Sequence, residues 1–258
     1  MALLFSLAFW GFMLVTSVIL FPVAVAIRAA TGPFDRRLRA LHLFTSFWAS
    51  LYSWCNPFWT VRIDGRENLR AGETCVIVCN HQSLVDILVL FRLFVHYKWV
   101  SKAENFRIPF IGWNMRLNGY IRIERGSMKG NLSMMRDGER ALRQGNSLMI
   151  FPEGTRSPDG RLREFRPGAF ELALKTSCPV LPLALRGTAA ALPRSGFVLR
   201  GRHAITITAL PPVRPDLEGI ADAGVLGTRV RHVIAAALRD GHHVPPMVHP
   251  GTPERGTA

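Results

Sequence analysis

Hydrophobic positions divide this chain into two unequal parts. From Ala2 to Ile27 no side chain is charged, and almost none is polar. As a helix this run extends about 39 Å at ~1.5 Å per residue, more than the roughly 30 Å of a bilayer's hydrocarbon core. Pro22 falls near its end, where a membrane helix tolerates a kink. Met1-Ala2-Leu3 lacks the basic start of a secretory signal peptide, and the run is long for the apolar part of one. A basic stretch follows, with Arg28, Arg36, Arg37 and Arg39 against Asp35. A second apolar run, Leu41–Val61, is less pure: it carries His42 and several hydroxyls, is rich in aromatic residues from Trp48 to Trp59, and breaks at Asn56-Pro57. It fits either a second span or a helix lying in the interface with its tryptophans at headgroup level. Two spans would separate the basic loop from the rest of the chain. One span, or a shallow hairpin, keeps them on the same side, which the positive-inside tendency favours.

From about Thr60 the pattern changes to short apolar runs rich in β-branched residues: Thr60–Ile63, Thr74–Cys79, Tyr97–Ser101, Tyr120–Ile123, Ser147–Phe151, Val180–Leu185 and Ala204–Ala209. Glycines at 65, 72, 119, 145 and 187 punctuate them as turn signals. Helical patterns lie between, over Ser83–Val95, 127–144, from Phe170 to Lys175, and over Thr228–Arg239. Strands alternating with helices predict an α/β fold, a mixed and partly parallel sheet flanked by helices and preceded by a hydrophobic helical membrane segment. The expected organisation is a membrane-associated region over 1–59, a catalytic domain over 60–241 and a flexible tail over 242–258.

Charge narrows the partners. Thirty-two Lys+Arg against eighteen Asp+Glu leave a net +14, which suits nucleic acid, an anionic membrane or phosphorylated small substrates. A nucleic-acid partner is not expected, because no aromatic-interleaved basic motif or reading element is present. No Walker, dinucleotide or zinc-finger signature occurs. Cys75 and Cys79 share strand parity and read as core thiols. His242, His243 and His249 read as part of a polar tail, and no metal is expected.

Three clusters carry candidate chemistry, two directly after an expected strand and the third a glycine-led strand ending in charge. In Asn80-His81-Gln82-Ser83-Leu84-Val85-Asp86, a histidine at a strand exit can meet an aspartate one turn into the next helix. Asp86 would then fix the imidazole tautomer and leave the other nitrogen as a general base. Alone, the spacing fits a histidine capping or packing at a helix entry, the commoner arrangement. Phe151-Pro152-Glu153-Gly154-Thr155-Arg156-Ser157 sets Glu153 and Arg156 in a Pro/Gly turn, where arginine can clamp phosphate bidentately; the alternative is a salt-bridged turn. Gly119–Arg125 places Arg125 at a strand exit, and Lys102 follows another, beside Glu104. Ligands of open α/β sheets bind outside that edge.

Taken in order, these segments make the chain resemble the 1-acylglycerol-3-phosphate acyltransferase (lysophosphatidic acid acyltransferase) family over roughly Val61 to Leu210. The family's His-x4-Asp box matches His81 and Asp86 in NHQSLVD. Its glycine-led strand ending in arginine matches GYIRIER, Gly119 to Arg125. FPEGTRS, Phe151 to Ser157, and VLPLA, Val180 to Ala184, match the third and fourth motifs. Glu124 stands where aspartate is common and Leu181 where a β-branched residue is common.

The resemblance implies transfer of a fatty acyl group from acyl-CoA or acyl carrier protein to the sn-2 hydroxyl of 1-acyl-sn-glycerol-3-phosphate, forming phosphatidic acid. In it His81 is the base and Asp86 its orienter. Arg125, Glu153, Gly154, Thr155 and Arg156 bind the acceptor, with the arginines on phosphate and Lys102 assisting. The co-substrates need no cofactor or metal beside them. The implied setting is a bacterial-type inner membrane, with the catalytic domain facing the cytoplasm. Another lysophospholipid or lyso-ornithine lipid is the alternative acceptor.

Overall fold

The computed structural model describes residues 1–70, 72–193, 196–199 and 201–239. Two helices come first, α1 (Ala2–Thr31) and α2 (Arg39–Trp54). Then follow β1 (Trp59–Asp64), β2 (Val76–Cys79), α3 (Val85–Leu90), β3 (Tyr97–Lys102), α4 (Ile111–Leu117) and β4 (Ile121–Ile123). The chain continues through α5 (Met128–Arg143), β5 (Ser147–Ile150), α6 (Gly168–Thr176), β6 (Val180–Arg186), α7 (Thr188–Ala191), β7 (His203–Ala209) and α8 (Ala223–Arg239). The strands match the seven expected runs to within two residues at either end. The tail expected over 242–258, with its three histidines, lies outside the described residues.

Among the described residues the strands form one sheet in the order β1-β7-β6-β2-β5-β3-β4. From β6 to β4 all neighbours are parallel, whereas β7 runs antiparallel to β6 and parallel to β1. This is the mixed, partly parallel sheet expected from the alternation of elements.

Strand parity sorts the core into two layers. Ile77, Cys79 and Met149 face one side, where Val85, Val89 and Leu90 of α3 pack together with residues of α1 and α2. Val76, Val78 and Leu148 face the other, against Met134 and Leu142 of α5, Phe170 and Leu172 of α6, and Val230 and Ile234 of α8. Cys75 and Cys79 sit together in the first layer as free thiols, as their parity predicts. The strands β2 and β5 are neighbours, yet the helix after β2 covers one face and the helix after β5 covers the other. Such a divergence opens a crevice at the carboxyl ends of the two strands.

The second apolar run is not one element. Helix α2 stops at Trp54, Asn56-Pro57 turns the chain, and β1 begins at Trp59. At sixteen residues α2 spans about 24 Å, and it buries Leu41, His42, Trp48 and Tyr52 against the domain. Helix α1 is long and apolar enough to cross a membrane, but it lies along the domain. Ser6 Oγ accepts the Leu199 N–H at 2.9 Å, and Trp10 Nε1–H donates to the Phe197 carbonyl at 2.8 Å. Phe9 packs edge-on against Trp59, Thr16 shares a 3.0 Å hydrogen bond with the Tyr52 hydroxyl, and Phe21 meets Phe110 and Trp113. The opposite side of α1 exposes Leu7, Leu14, Val18, Ile19 and Val25, continued on α2 by Leu43, Phe47 and Trp54.

Candidate active site

The loop after β2 is fastened to its neighbours by Asn80 and by its own backbone. Asn80 continues the sheet with its side chain. Its Nδ2 donates to the Leu185 carbonyl and its Oδ1 accepts the Leu185 N–H, both at 2.8 Å, so an amide takes the place of one more residue of β2 against β6. His81 comes next. Its N–H donates to Glu153 Oε1 at 2.7 Å, and its carbonyl accepts the Ser157 N–H at 2.8 Å. The backbone of His81 is therefore held on both sides by the segment that leaves β5.

The imidazole is held as firmly. Nδ1 lies 2.8 Å from Asp86 Oδ2, and the ring stacks on Phe151 at a centroid separation of 3.9 Å and an interplanar angle of 8°. Asp86 is fully buried, and the same Oδ2 accepts the N–H groups of Gln82 and Ser83 at 2.6 and 2.9 Å. The aspartate thus ties down the turn that leads into α3 while it orients the ring. With Nδ1–H donating to the carboxylate, Nε2 is the basic nitrogen. No hydrogen bond to Nε2 occurs among the described residues, and His81 lines the main cavity.

Glu153 is buried, and both of its oxygens are occupied by backbone donors, Oε1 by His81 N–H and Oε2 by Arg163 N–H at 3.1 Å. Burial pushes its carboxyl above the usual carboxylate range, against the lowering pull of those two N–H groups. In this structure the group joins two loops rather than presenting a free carboxylate. Gly154 follows at φ +72°, a conformation that favours glycine. Cys79, directly before the site, is held as a thiol: burial first, then the negative charges of Asp86 and Glu153, push it well up. A buried thiol of that kind is not a nucleophile.

A cavity of about 850 Å³ runs over this edge of the sheet, toward the upper end of the roughly 300–1,000 Å³ usual for ligand sites. On one side it is walled by Phe9 and Met13 of α1 and by Trp48 and Tyr52 of α2; on the other it reaches Met134 of α5 and Glu171 of α6. His81 lines the same cavity. Lys102, Arg125 and Gly154 line the cavity, as does Arg166, which no motif singled out. Because β2, β5, β3 and β4 are consecutive neighbours, the exits bearing His81, Glu153, Lys102 and Arg125 follow one another along a single edge. Lys102 pairs with Glu104 at 3.1 Å, both well exposed. Thr155 and Arg156 are partly buried beside the cavity without lining it. Arg122 and Glu124 face solvent. Sequence reasoning missed Asn80, Phe151 and Arg166 as parts of the site. Each acts through a neighbour that only the fold supplies, although the basic run before Pro167-Gly168 was a signal for Arg166.

A histidine with a buried aspartate behind it thus faces a largely apolar cavity that Lys102, Arg125 and Arg166 also line. A family model described as Acyltransferase matches residues 60–186, which include His81, Asp86, Arg125 and Glu153 to Arg156. A 1-acyl-sn-glycerol-3-phosphate acyltransferase of Chlamydomonas reinhardtii is 34% identical over 89% of this chain and 67% of its own length. The chloroplastic enzyme of that name from Brassica napus is 42% identical over 62% of this chain and 46% of its own. The chain belongs to the 1-acyl-sn-glycerol-3-phosphate acyltransferase family. It spans about half to two thirds of the length of these relatives. Its fold is also that of the 1-acyl-sn-glycerophosphate (LPA) acyltransferase of Thermotoga maritima, with a TM-score of 0.75 at 24% identity over 93% of this chain and 96% of that one.

Proposed function

We propose that this protein transfers a fatty acyl group from an acyl thioester, acyl-CoA or acyl carrier protein, to the sn-2 hydroxyl of 1-acyl-sn-glycerol-3-phosphate. The observation that carries the reading is the His81 imidazole, tied through Nδ1 to buried Asp86 and with Nε2 unpartnered at the cavity. Nε2 takes the proton of the acceptor hydroxyl as its oxygen attacks the thioester carbonyl carbon. A C–O bond forms, and the carbonyl electrons move to oxygen. Collapse of the tetrahedral oxyanion breaks the C–S bond, and the departing sulfur receives the proton from the imidazolium. Asp86 stabilises that imidazolium between the two transfers. No covalent acyl-enzyme is needed.

The apolar part of the cavity, walled by α1 and α2, suits an acyl chain, and Arg125 and Lys102 on its lining, with Arg156 on the adjoining loop, suit the acceptor phosphate. Glu153, Gly154 and Thr155 shape the loop. The position of α1 supports a membrane hairpin rather than a span. The domain contacts at Ser6, Phe9, Trp10, Thr16 and Phe21 lie along its length, so a crossing along the bilayer normal would draw Trp59, Phe197 and Trp113 to different depths of the hydrocarbon. Lying flat, the pair buries its exposed apolar side in one leaflet and sets the cavity against the lipid from which an acceptor comes. The basic loop and the catalytic domain then share the cytoplasmic side of a bacterial-type inner membrane, which fits the positive-inside tendency.

The test is an activity matrix of acyl-CoA and acyl carrier protein against 1-acylglycerol-3-phosphate, lysophosphatidylcholine and lyso-ornithine lipid, run beside His81→Ala. Transfer to 1-acylglycerol-3-phosphate by the wild type is expected, with turnover by the variant reduced by at least about three orders of magnitude. Dominant use of a phosphate-free acceptor, or full activity of a folded His81→Ala protein, would refute the assignment.

A further inference from the structure

Beyond the sequence motifs, one cation at the polar end of the cavity stands out. Arg166 belongs to the segment that returns over the exit of β5: its N–H donates to the Pro152 carbonyl at 2.9 Å, three residues after Arg163 N–H meets Glu153. This return carries the guanidinium over Gly154. A Cβ on Gly154 would lie 2.7 Å from Arg166 Nε, so the glycine gives the arginine its room. Arg125 follows β4, and both residues line the same space as His81.

Among the described residues neither guanidinium has a carboxylate within 4 Å or a hydrogen-bond acceptor, whereas Arg214, Arg229 and Arg231 are paired with Glu73, Glu218 and Glu164. Burial, and then the charge of Arg166, lowers the Arg125 pKa, while Glu104 draws it back up. Two like charges side by side repel, and an anion between them adds two attractions that outweigh that repulsion. Guanidinium forks match phosphate oxygens in pairs. A phosphate monoester carries close to two negative charges at neutral pH, with a second pKa near ~6, whereas a diester carries one.

We propose that Arg166 is a specificity-determining residue, closing with Arg125 on the acceptor's phosphate and selecting a terminal phosphate monoester over phosphodiester and phosphate-free lysolipids. This rests on the acyltransferase reading of the cavity.

Two measurements separate the clamp from that reading. The first is acceptor kinetics of Arg166→Ala and Arg166→Lys. The Ala variant is expected to raise KM for 1-acylglycerol-3-phosphate about tenfold or more, with kcat and the donor KM little changed, and to lose most of its preference over lysophosphatidylglycerol and 1-acylglycerol; the Lys variant should fall between. The second is calorimetric binding of glycerol 3-phosphate without donor, expected to weaken to a similar degree in Arg166→Ala. An unaltered KM and acceptor preference, or a loss confined to kcat, would overturn the role. If the wild type transfers no acyl group yet binds glycerol 3-phosphate through Arg166, the clamp stands and the acyltransferase reading falls. If acyl transfer is normal and glycerol 3-phosphate binding ignores Arg166, the clamp falls alone. The guanidinium has no partner to lose, so an unchanged melting temperature is expected of both variants and shows that the effects are local.

Discussion

Glu153 illustrates how far a residue's work can differ from its chemistry. In a sequence, a glutamate beside glycine and arginine at a strand exit suggests a group that touches substrate. In the fold its two oxygens accept two backbone N–H groups, one from His81 and one from Arg163, and so join the loop that bears the imidazole to the loop that bears Arg166. A carboxylate supplies two acceptors at those positions; an amide supplies one acceptor and one donor. Glu153→Gln should therefore set an N–H against an N–H in a buried site, at a cost of about 1–3 kcal/mol. The expected result is a lower denaturation midpoint together with a fall in kcat as His81 loses its anchor. A Gln variant that keeps both stability and kcat would show that the two bonds are dispensable. The same reasoning explains why Asn80 went unnoticed: its amide completes the β2–β6 ladder, and nothing local marks a side chain that acts as backbone.

Elements differ in how plainly they are written. The seven strands are short β-branched runs between glycines, and α5 carries a clear stripe with Ser127 as its cap, the hydroxyl accepting the Gly130 N–H at 3.1 Å. Such signals are local, so they survive without knowledge of the fold. Helix α4 was not legible, because Ile-Gly-Trp-Asn-Met-Arg-Leu has no helical stripe and begins after Phe110 at φ +58°. Its existence depends on tertiary contact. A Cβ on Gly112 would stand 2.6 Å from the Asn105 carbonyl oxygen and equally close to the Phe106 backbone, so α4 lies directly on the turn that follows Lys102. Gly112→Ala should force backbone apart and destabilise by about 1–3 kcal/mol, read as a lower urea midpoint. It should also reduce activity, since Asn114 and Met115 of α4 form part of the cavity wall. The control is Gly11→Ala on α1, where a Cβ meets nothing within 4 Å and the helix gains propensity. Equal effects from the two would mean that the close approach is not what selects glycine at 112. The site was legible in a similar, partial way. Chain order showed that four chemistry-bearing segments follow strands. That those strands are neighbours depends on non-local pairing, and pairing leaves no mark in any single segment.

At the scale of the molecule, the apolar N-terminal run and the cationic edge are two ends of one cavity. Walls from α1 and α2 meet the edge of the sheet that bears His81, so on the proposed reading the N-terminal helices are part of the site rather than a tether to it. That geometry makes a prediction about sidedness. Helix α1 extends about 45 Å over its thirty residues; a span would put Ala2 and the α1–α2 loop on opposite faces of the bilayer, whereas a helix flat in one leaflet leaves both on the face that carries the domain. Of the native cysteines only Cys55 is exposed, so a Cys55→Ser background allows single reporters: Ala2→Cys at the start of α1, Arg36→Cys in the loop, and Arg161→Cys on the domain, where the native side chain is 89% exposed. In sealed vesicles all three should react with a membrane-impermeant maleimide from the same side. Basic residues of the loop hold that side against anionic lipid at about 1 kcal/mol each when close to the surface, so raising salt should loosen binding without altering sidedness. If Ala2→Cys reacts only from the side opposite Arg161→Cys, α1 crosses the bilayer. The contacts of Ser6 with Leu199 and of Trp10 with Phe197 would then have to break on insertion, and the cavity would lose the wall that Phe9 and Met13 provide.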